Sequence, residues 1–212
     1  MKVTYILTLA CIITFVITFF SNPEEIFDNY GFSGQNLLVK PYVLITSIFL
    51  HANLEHLLSN ILVLLIFGLA VENELGWAKM LYIFFLGAVA GDMLSLLIYS
   101  FDTIAVGASA GIFALVGTGM LVRPFDLSMY PYLLPIPLGL LGVLYAVYNT
   151  IGFIEGEGNI SYIAHTGGLL VGFLFGMERV GVKKSLKIII LMTILMLALP
   201  YILRMIFSVL FQ

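Results

Sequence analysis

Seven long apolar segments constrain this chain more than any other feature of its sequence. Each is close to the ~20 residues that an α-helix needs to cross the hydrocarbon core of a bilayer. Most of the charged residues lie between them. The sequence therefore predicts a polytopic membrane protein. The segments are, roughly, residues 3–20, 54–71, 78–99, 105–122, 130–152, 160–177 and 186–211.

The composition excludes a soluble domain and favours helices over a barrel. Hydrophobic residues make up 61% of the 212 residues, charged residues only 10%, and the mean hydropathy is +1.12. Soluble domains carry roughly 25% charged residues. A membrane barrel would show ten-residue segments of alternating hydrophobicity, and none is visible. The predicted fold class is an all-α membrane helix bundle.

The first apolar segment has two possible interpretations, a cleaved signal peptide or a retained span. It is longer than a typical signal-peptide core, and Ser21-Asn22-Pro23 follows it without a small-residue cleavage site. We interpret it as a retained first span. It contains Cys11, the single cysteine, so no disulfide or cysteine-based metal site is expected within one chain.

The basic residues predict the orientation of the chain. With the N-terminus in the cytoplasm, seven basic residues fall at inner ends and loops and only Lys40 falls outside, while Arg204 lies within the last segment. Such a bias is typical of the cytoplasmic side. The seven inner residues are Lys2, Lys79, Arg123, Arg179, Lys183, Lys184 and Lys187.

The connection after the first span and two acidic residues, Glu72 and Asp92, allow further predictions. The connection from Ser21 to about residue 50 is apolar around Tyr42 and Phe49, so we expect it to lie half embedded in the membrane interface. Glu72, near the inner end of the second span, is expected to tie helix ends together. Asp92 lies inside the third span, where an acid normally faces the bundle interior, although the sequence names no partner for it.

A serine between glycines opens the fourth span, in Gly107-Ala108-Ser109-Ala110-Gly111. Glycines on either side leave the Ser109 hydroxyl uncovered, which a nucleophile needs. The same small-residue spacing is also used for ordinary helix packing, so the motif alone is weak. With the span predicted to begin near Ala105, Ser109 is expected about one turn inside the outer surface.

The outer end of the second span contains His51, His56 and Asn60. His56 and Asn60 are four residues apart and share a helix face, whereas a helix would separate His51 from His56 by about 140°. The two histidines are therefore poorly placed for one metal ion, and no zinc motif is present. The alternative is that these groups simply bond to loops or neighbouring helices.

A second candidate residue, His165, lies about one turn inside the outer end of the sixth span. Gly167, Gly168, Gly172 and Gly176 follow it and allow another helix to approach closely. The expected matching face is on the fourth span, at Gly107, Gly111 and Gly117.

Topology therefore places Ser109, His165, His56 and Asn60 in one layer of the membrane. A serine within reach of a histidine is the minimum set for nucleophilic acyl transfer, with the histidine as base. His56, Asn60 and the backbone N–H groups at the start of the Ser109 helix could stabilise an oxyanion.

Together these motifs resemble, in order, those of the rhomboid intramembrane serine proteases. The resemblance covers nearly the whole chain. The matching stretches are His51-x4-His56-x3-Asn60, Glu72-Asn-Glu-Leu-Gly76, Gly107-Ala-Ser109-Ala-Gly111 and Ala164-His165-x2-Gly168-x3-Gly172.

The resemblance implies a six-helix catalytic core, residues 1–180, and an additional C-terminal transmembrane helix, residues 181–212. It implies a dyad of Ser109 and His165 without an acid, and an oxyanion site formed by His56, Asn60 and the Ser109 backbone. Substrates would be single-span membrane proteins that reach the site past the fifth helix and are cut near the outer surface. The residues expected to support this site are Gly107, Gly111, Phe113 and His51.

Two positions depart from the family pattern. Members of the family often have a tyrosine four residues after the serine, stacked on the catalytic imidazole, where this chain has Phe113. From sequence alone, Phe113 could equally be an ordinary packing residue. Many members have an arginine near the end of the second span, where this chain has Asn73-Glu74.

The function expected from the sequence is thus that of an intramembrane serine endopeptidase, with the bilayer and a substrate's transmembrane helix as partners. No cofactor, metal ion or nucleic acid is expected. The main alternative is a catalytically silent rhomboid-like protein that binds membrane helices. A transporter using Asp92 is less favoured, because no paired broken helices are visible. A soluble-type hydrolase would need a strand before Gly107.

The predicted orientation can be checked by cysteine labelling. In a Cys11→Ser background, a cysteine introduced at Glu157 should react with an impermeant maleimide added outside intact cells. A cysteine introduced at Lys184 should react only after the membrane is opened. The reverse pattern would place the N-terminus outside and move the site to the other leaflet.

Overall fold

The computed structural model describes residues 2–127, 136–155 and 161–210, and within these ranges all regular structure is helical. The expected all-α bundle is confirmed. The start of the predicted fifth span, residues 130–135, and Glu157 lie outside the described residues. The helices are α1 (Val3–Phe20), α2 (Pro23–Tyr30), α3 (Gly34–Val39), α4 (Val43–Phe49), α5 (Leu54–Leu75), α6 (Trp77–Ser95), α7 (Ser109–Val122), α8 (Leu138–Glu155), α9 (Tyr162–Val180) and α10 (Val182–Leu210).

The helices are long and apolar enough for a multi-pass membrane protein. Among the described helices, α1, α5, α6 and α8 meet the length and hydropathy of a membrane span. Helix α7 is apolar but has only 14 residues. At 1.5 Å per residue it extends about 21 Å, which is less than the ~30 Å hydrocarbon core.

Two predicted span boundaries were wrong on either side of α7. The third span was expected to continue to residue 99, but α6 ends at Ser95 and a turn follows. The fourth was expected to begin near Ala105, but Ala105 is extended and pairs with Phe32. Gly107 then has φ +125°, a conformation that interrupts any helix. Ser109 is therefore the first residue of α7 rather than a residue one turn inside it.

Helix α7 is the centre of the bundle, because every residue from Ala110 to Leu121 is buried. Its closest neighbour is α9. A methyl group added at Gly168 would run into the backbone carbonyl of Ala110, and one at Gly172 into that of Ala114. The two backbones are therefore in direct contact over more than one helical turn.

The glycines predicted to form one face of the fourth span do not all face α9 as expected. Gly117 does, since a methyl there would lie 2.8 Å from the Leu169 carbonyl oxygen of α9. Gly111 instead packs against Phe84 of α6, and Gly107 lies against the His56 ring. Helical spacing groups glycines by face but does not say which neighbour each face meets.

The connection between α1 and α5 is a folded unit that holds the start of α7. Phe32 and Ala105 exchange two backbone hydrogen bonds of 2.9 and 2.7 Å, and the Gly107 N–H donates to the Ser47 carbonyl at 2.9 Å. These bonds hold the segment that leads into Ser109 against α4 and against the residues between α2 and α3.

The other end of the bundle is tied by Glu72. Its carboxylate accepts hydrogen bonds of 2.9 Å from the Val3 and Thr4 N–H groups and one of 2.6 Å from the Thr4 hydroxyl. These are N–H groups that the first turn of α1 cannot satisfy itself. The structure thus joins α1 to α5 through Glu72, as the sequence led us to expect.

Candidate functional site

Ser109 and His165 are in contact at one end of the bundle. Ser109 is the first residue of α7, and His165 lies in the first turn of α9. The Ser109 Oγ and His165 Nε2 atoms are 2.8 Å apart, within hydrogen-bonding distance. The contact follows from the backbone packing of α7 on α9, since Gly168, one turn after His165, lies against Ala110, the residue after Ser109.

Sequence reasoning missed a third residue at this site, Asn149 of α8. Its side-chain Oδ1 lies 3.0 Å from His165 Nδ1, and the residue is only 2% exposed. The available signal was an amide inside an otherwise apolar span, which is a position that normally requires a polar partner. Its spacing of sixteen residues from His165 gave no indication of contact.

Phe113 lies flat on the His165 ring. The ring centroids are 4.3 Å apart and the planes differ by 10°. Tyr145 meets the Phe113 ring edge-on at 6.2 Å, so the aromatic side chain is held between α8 and the imidazole. This is the stacked arrangement that the sequence left as one of two alternatives.

His56 and Asn60 converge on Gly107. A methyl group added at Gly107 would lie 2.8 Å from His56 Nε2 and 3.8 Å from Asn60 Nδ2. Helix α5 begins at Leu54 because the Asn53 side chain accepts a hydrogen bond from the His56 N–H, which positions both residues on its first turns. Gly107 is thus required both for its positive φ and for the room its missing side chain leaves.

Donors without partners face this region. Asn60 Nδ2 is buried and has no hydrogen-bond partner among the described residues. Such a group is costly unless another molecule satisfies it. The first N–H groups of α7 likewise have no acceptor within the helix, and the helix dipole adds positive potential there. The region is therefore suited to a developing negative charge.

His51 supports this arrangement in a way the sequence did not predict. We expected the His51 and His56 rings to diverge, but they meet edge-on with centroids 5.1 Å apart. The prediction was wrong because His51 precedes α5, so helical angles do not apply to it. Its Nδ1 lies 3.1 Å from the Phe49 carbonyl. Burial, together with the neighbouring His56, lowers the pKa of His51 to about 4, so its ring is neutral at physiological pH.

A small cavity lies beside Ser109, between α6, α7 and the start of α9. Asp92, Ser47 and Ser161 contribute polar groups to its wall. Within the described residues, Asp92 Oδ2 is buried and has no hydrogen-bond partner. The acid that the sequence could not pair thus faces the bundle interior, next to the candidate nucleophile.

A comparison with known protein families covers the same part of the chain. A model of the Rhomboid domain matches residues 39–182, which include all of these site residues. The chain belongs to the rhomboid family. This family includes intramembrane serine proteases.

The relatives are distant and longer. RHOMBOID-like protein 6, mitochondrial, of Arabidopsis thaliana is 32% identical over 63% of this chain and 42% of its own length. RHOMBOID-like protein 4 of the same plant is 34% identical over 60% of this chain and 31% of its own length. Rhomboid-like protease 2 of Toxoplasma gondii is 30% identical over 63% of this chain and 46% of its own length. This rhomboid chain spans less than half the length of these three relatives.

The stacking of Phe113 on His165 leads to a prediction that separates it from ordinary packing. Phe113→Leu should lower kcat for membrane-helix cleavage about two- to tenfold, the kinetic equivalent of a ring-stacking contact. Phe113→Tyr should keep activity, because the ring remains. Both are measured as kcat alongside thermal unfolding in detergent.

Phe67→Leu is the matched control, because Phe67 is fully buried and also meets Tyr145 edge-on but does not touch His165. It should lower thermal stability without a selective loss of kcat. If Phe113→Leu and Phe67→Leu change activity and stability in the same proportion, Phe113 is a packing residue.

Proposed function

We propose that this rhomboid protein is an intramembrane serine endopeptidase that cuts transmembrane segments of single-span membrane proteins near the outer surface. The observation that carries the proposal is the 2.8 Å contact between Ser109 Oγ and His165 Nε2 inside a helix bundle. A helix-binding protein without catalysis needs neither a nucleophile nor a base at this distance.

The first half of the proposed reaction forms an acyl-enzyme. Ser109 Oγ attacks the scissile carbonyl carbon while His165 Nε2 takes the hydroxyl proton. The tetrahedral intermediate then collapses: the C–N bond breaks and the imidazolium returns the proton to the leaving amine. The carboxyl-side fragment departs with a new amino terminus, and the other fragment remains as an ester on Ser109.

The second half hydrolyses that ester. His165 takes a proton from a water molecule as the water oxygen attacks the ester carbonyl. Collapse of the second intermediate returns the proton to Ser109 Oγ and releases a carboxylic acid. No oxidant, metal ion or cofactor is needed for either half.

Asn60 and His56, with the N–H groups at the start of α7, are the proposed oxyanion donors. The support is the unpaired amide of Asn60 and the position of both side chains against Gly107, two residues before Ser109. Donors fixed in advance in a water-poor site stabilise a developing oxyanion strongly, because nothing must reorganise as the charge appears.

The proposed orientation has the N-terminus in the cytoplasm and the site toward the outer face. With the Arg123 end of α7 at the inner surface, its length of about 21 Å would leave Ser109 below the outer surface of a ~30 Å core. A substrate helix could then be cut within the membrane rather than in a water-exposed loop.

The first test is cleavage of a generic single-span substrate by purified protein in detergent or vesicles. Ser109→Ala and His165→Ala should each lower kcat by on the order of 10⁶-fold, because the two residues of such a pair act as a unit. A fluorophosphonate should label the wild-type protein at Ser109, as located by mass spectrometry. Ser100→Ala, at an exposed loop serine, is the control and should cleave normally.

The outcomes of this test are distinct. Cleavage by wild type but not by Ser109→Ala supports the endopeptidase. Undiminished cleavage by Ser109→Ala moves the activity elsewhere. Binding of membrane helices with neither cleavage nor labelling would favour the catalytically silent alternative.

The oxyanion assignment gives a graded prediction. Asn60→Ala should reduce kcat about 10²–10³-fold, the usual effect of one lost donor, and leave a measurable residual rate. Asn73→Ala, at an exposed position near the other end of α5, is the control. An Asn60→Ala protein with the kcat of wild type would make the amide a structural group only.

A further inference from the structure

We propose that Asn149 is a positioning residue that fixes the tautomer and ring orientation of His165. The proposal rests on the endopeptidase function proposed above, in which His165 is the base. It starts from the 3.0 Å contact between Asn149 Oδ1 and His165 Nδ1, made by a residue that is 2% exposed.

The orientation of the Asn149 amide follows from its other contacts. Its second side-chain atom, Nδ2, lies 3.1 Å from the Tyr162 carbonyl oxygen and 3.0 Å from Thr166 Oγ1. A carbonyl can only accept, so the atom facing Tyr162 must be the NH₂ donor. Thr166 donates its own hydroxyl hydrogen to the same carbonyl at 3.0 Å and so accepts from the amide. The oxygen of Asn149 therefore faces the imidazole.

This orientation determines which imidazole nitrogen carries the hydrogen. Because Asn149 Oδ1 can only accept, the Nδ1 atom of His165 must donate to it. In the neutral ring the Nε2 atom then carries a free lone pair, and that atom is the one 2.8 Å from Ser109 Oγ. The wrong tautomer would present an N–H to the hydroxyl and could not take its proton.

The imidazole is thus held by two contacts at right angles to each other. Phe113 restrains the ring face, and Asn149 restrains it in its plane. Asn149 also joins α8 to α9 through Tyr162 and Thr166, so its removal could act through the helices rather than through the base. The experiment must separate the acceptor role of Oδ1 from the donor role of Nδ2.

Three variants make that separation. Asn149→Leu removes both roles at similar size. Asn149→Asp keeps an acceptor for His165 Nδ1 but loses the donor to Tyr162 and Thr166. Thr166→Val removes one acceptor of the Asn149 Nδ2 group and leaves the contact between Asn149 and His165. Each is measured for kcat, KM, thermal stability and the pH profile of kcat/KM.

We expect Asn149→Leu to lower kcat about ten- to a hundredfold, by analogy with residues that orient metal-binding histidines, with little change in KM. Asn149→Asp should recover most of that loss. Thr166→Val should keep kcat within about threefold, even where it lowers thermal stability.

The pH profile gives a readout that a structural tie would not move. A carboxylate beside the ring favours its protonated form, which is inactive as a base. The acidic limb of kcat/KM in Asn149→Asp should therefore move to higher pH than in wild type. The other titratable side chains that lie near His165 are His56 on α5, Asp92 on α6, Tyr145 on α8 and Tyr162 on α9, and they are the same in all variants.

A tautomer measurement separates failure of this proposal from failure of the proposed function. The chain has three histidines, so ¹⁵N-histidine spectra can be assigned with single His→Gln variants. Wild type should show His165 protonated at Nδ1, and Asn149→Leu should lose that preference, whether or not the protein cleaves anything. A wild-type His165 protonated at Nε2 overturns the proposal. It is also overturned if Asn149→Leu keeps the kcat of wild type, or if Thr166→Val is as impaired as Asn149→Leu.

Discussion

Backbone contact between α7 and α9 is the constraint on which the rest of the structure depends. Lipid is as apolar as leucine, so helices in a membrane gain little by burying apolar side chains and associate mainly by close packing. Here Gly168 and Gly172 leave the space that the carbonyls of Ala110 and Ala114 occupy. This packing brings Ser109 and His165 to the same level of the bundle, because each lies within one helical turn of the contact between Ala110 and Gly168. A larger residue at Gly168 would separate the two helices and the two side chains together.

Most buried polar groups among the described residues are satisfied by one another, and several of the exceptions lie near Ser109. Glu72 is saturated by the N-terminus of α1, and Thr118 bonds to carbonyls of α7 and α9. Near Ser109 the situation differs, since Asn60 Nδ2 and Asp92 Oδ2 have no partner in the described part of the chain. An unpaired polar group costs more in a membrane interior than in water. Two such unpaired groups beside a serine and a histidine suit a site that binds a polar, transient species.

Much of this arrangement could be predicted from the sequence, and the remainder has identifiable physical reasons. Helical spacing and membrane depth were enough to select Ser109, His165, His56 and Asn60 as neighbours, since each lies near one end of an apolar span, whereas the role of Phe113 was left between stacking and ordinary packing. Spacing could not reveal the start of α7, which depends on the positive φ of Gly107 and its pairing with the preceding connection. It also could not reveal Asn149, because Asn149 and His165 lie on different helices and their contact has no periodic signal along the chain.

The choice of an amide rather than an acid beside His165 is consistent with the low dielectric around it. A buried carboxylate would stabilise the imidazolium more strongly, but it must first be transferred into the bundle at a cost of several kcal/mol in real proteins. It would also favour a protonated ring in the resting state, when the proposed base must be neutral. An asparagine oxygen selects the same tautomer with no net charge, and its NH₂ group finds acceptors on α9 that a carboxylate would repel. In a membrane interior, a neutral dipole can thus orient an imidazole at a small fraction of the desolvation cost of an ion.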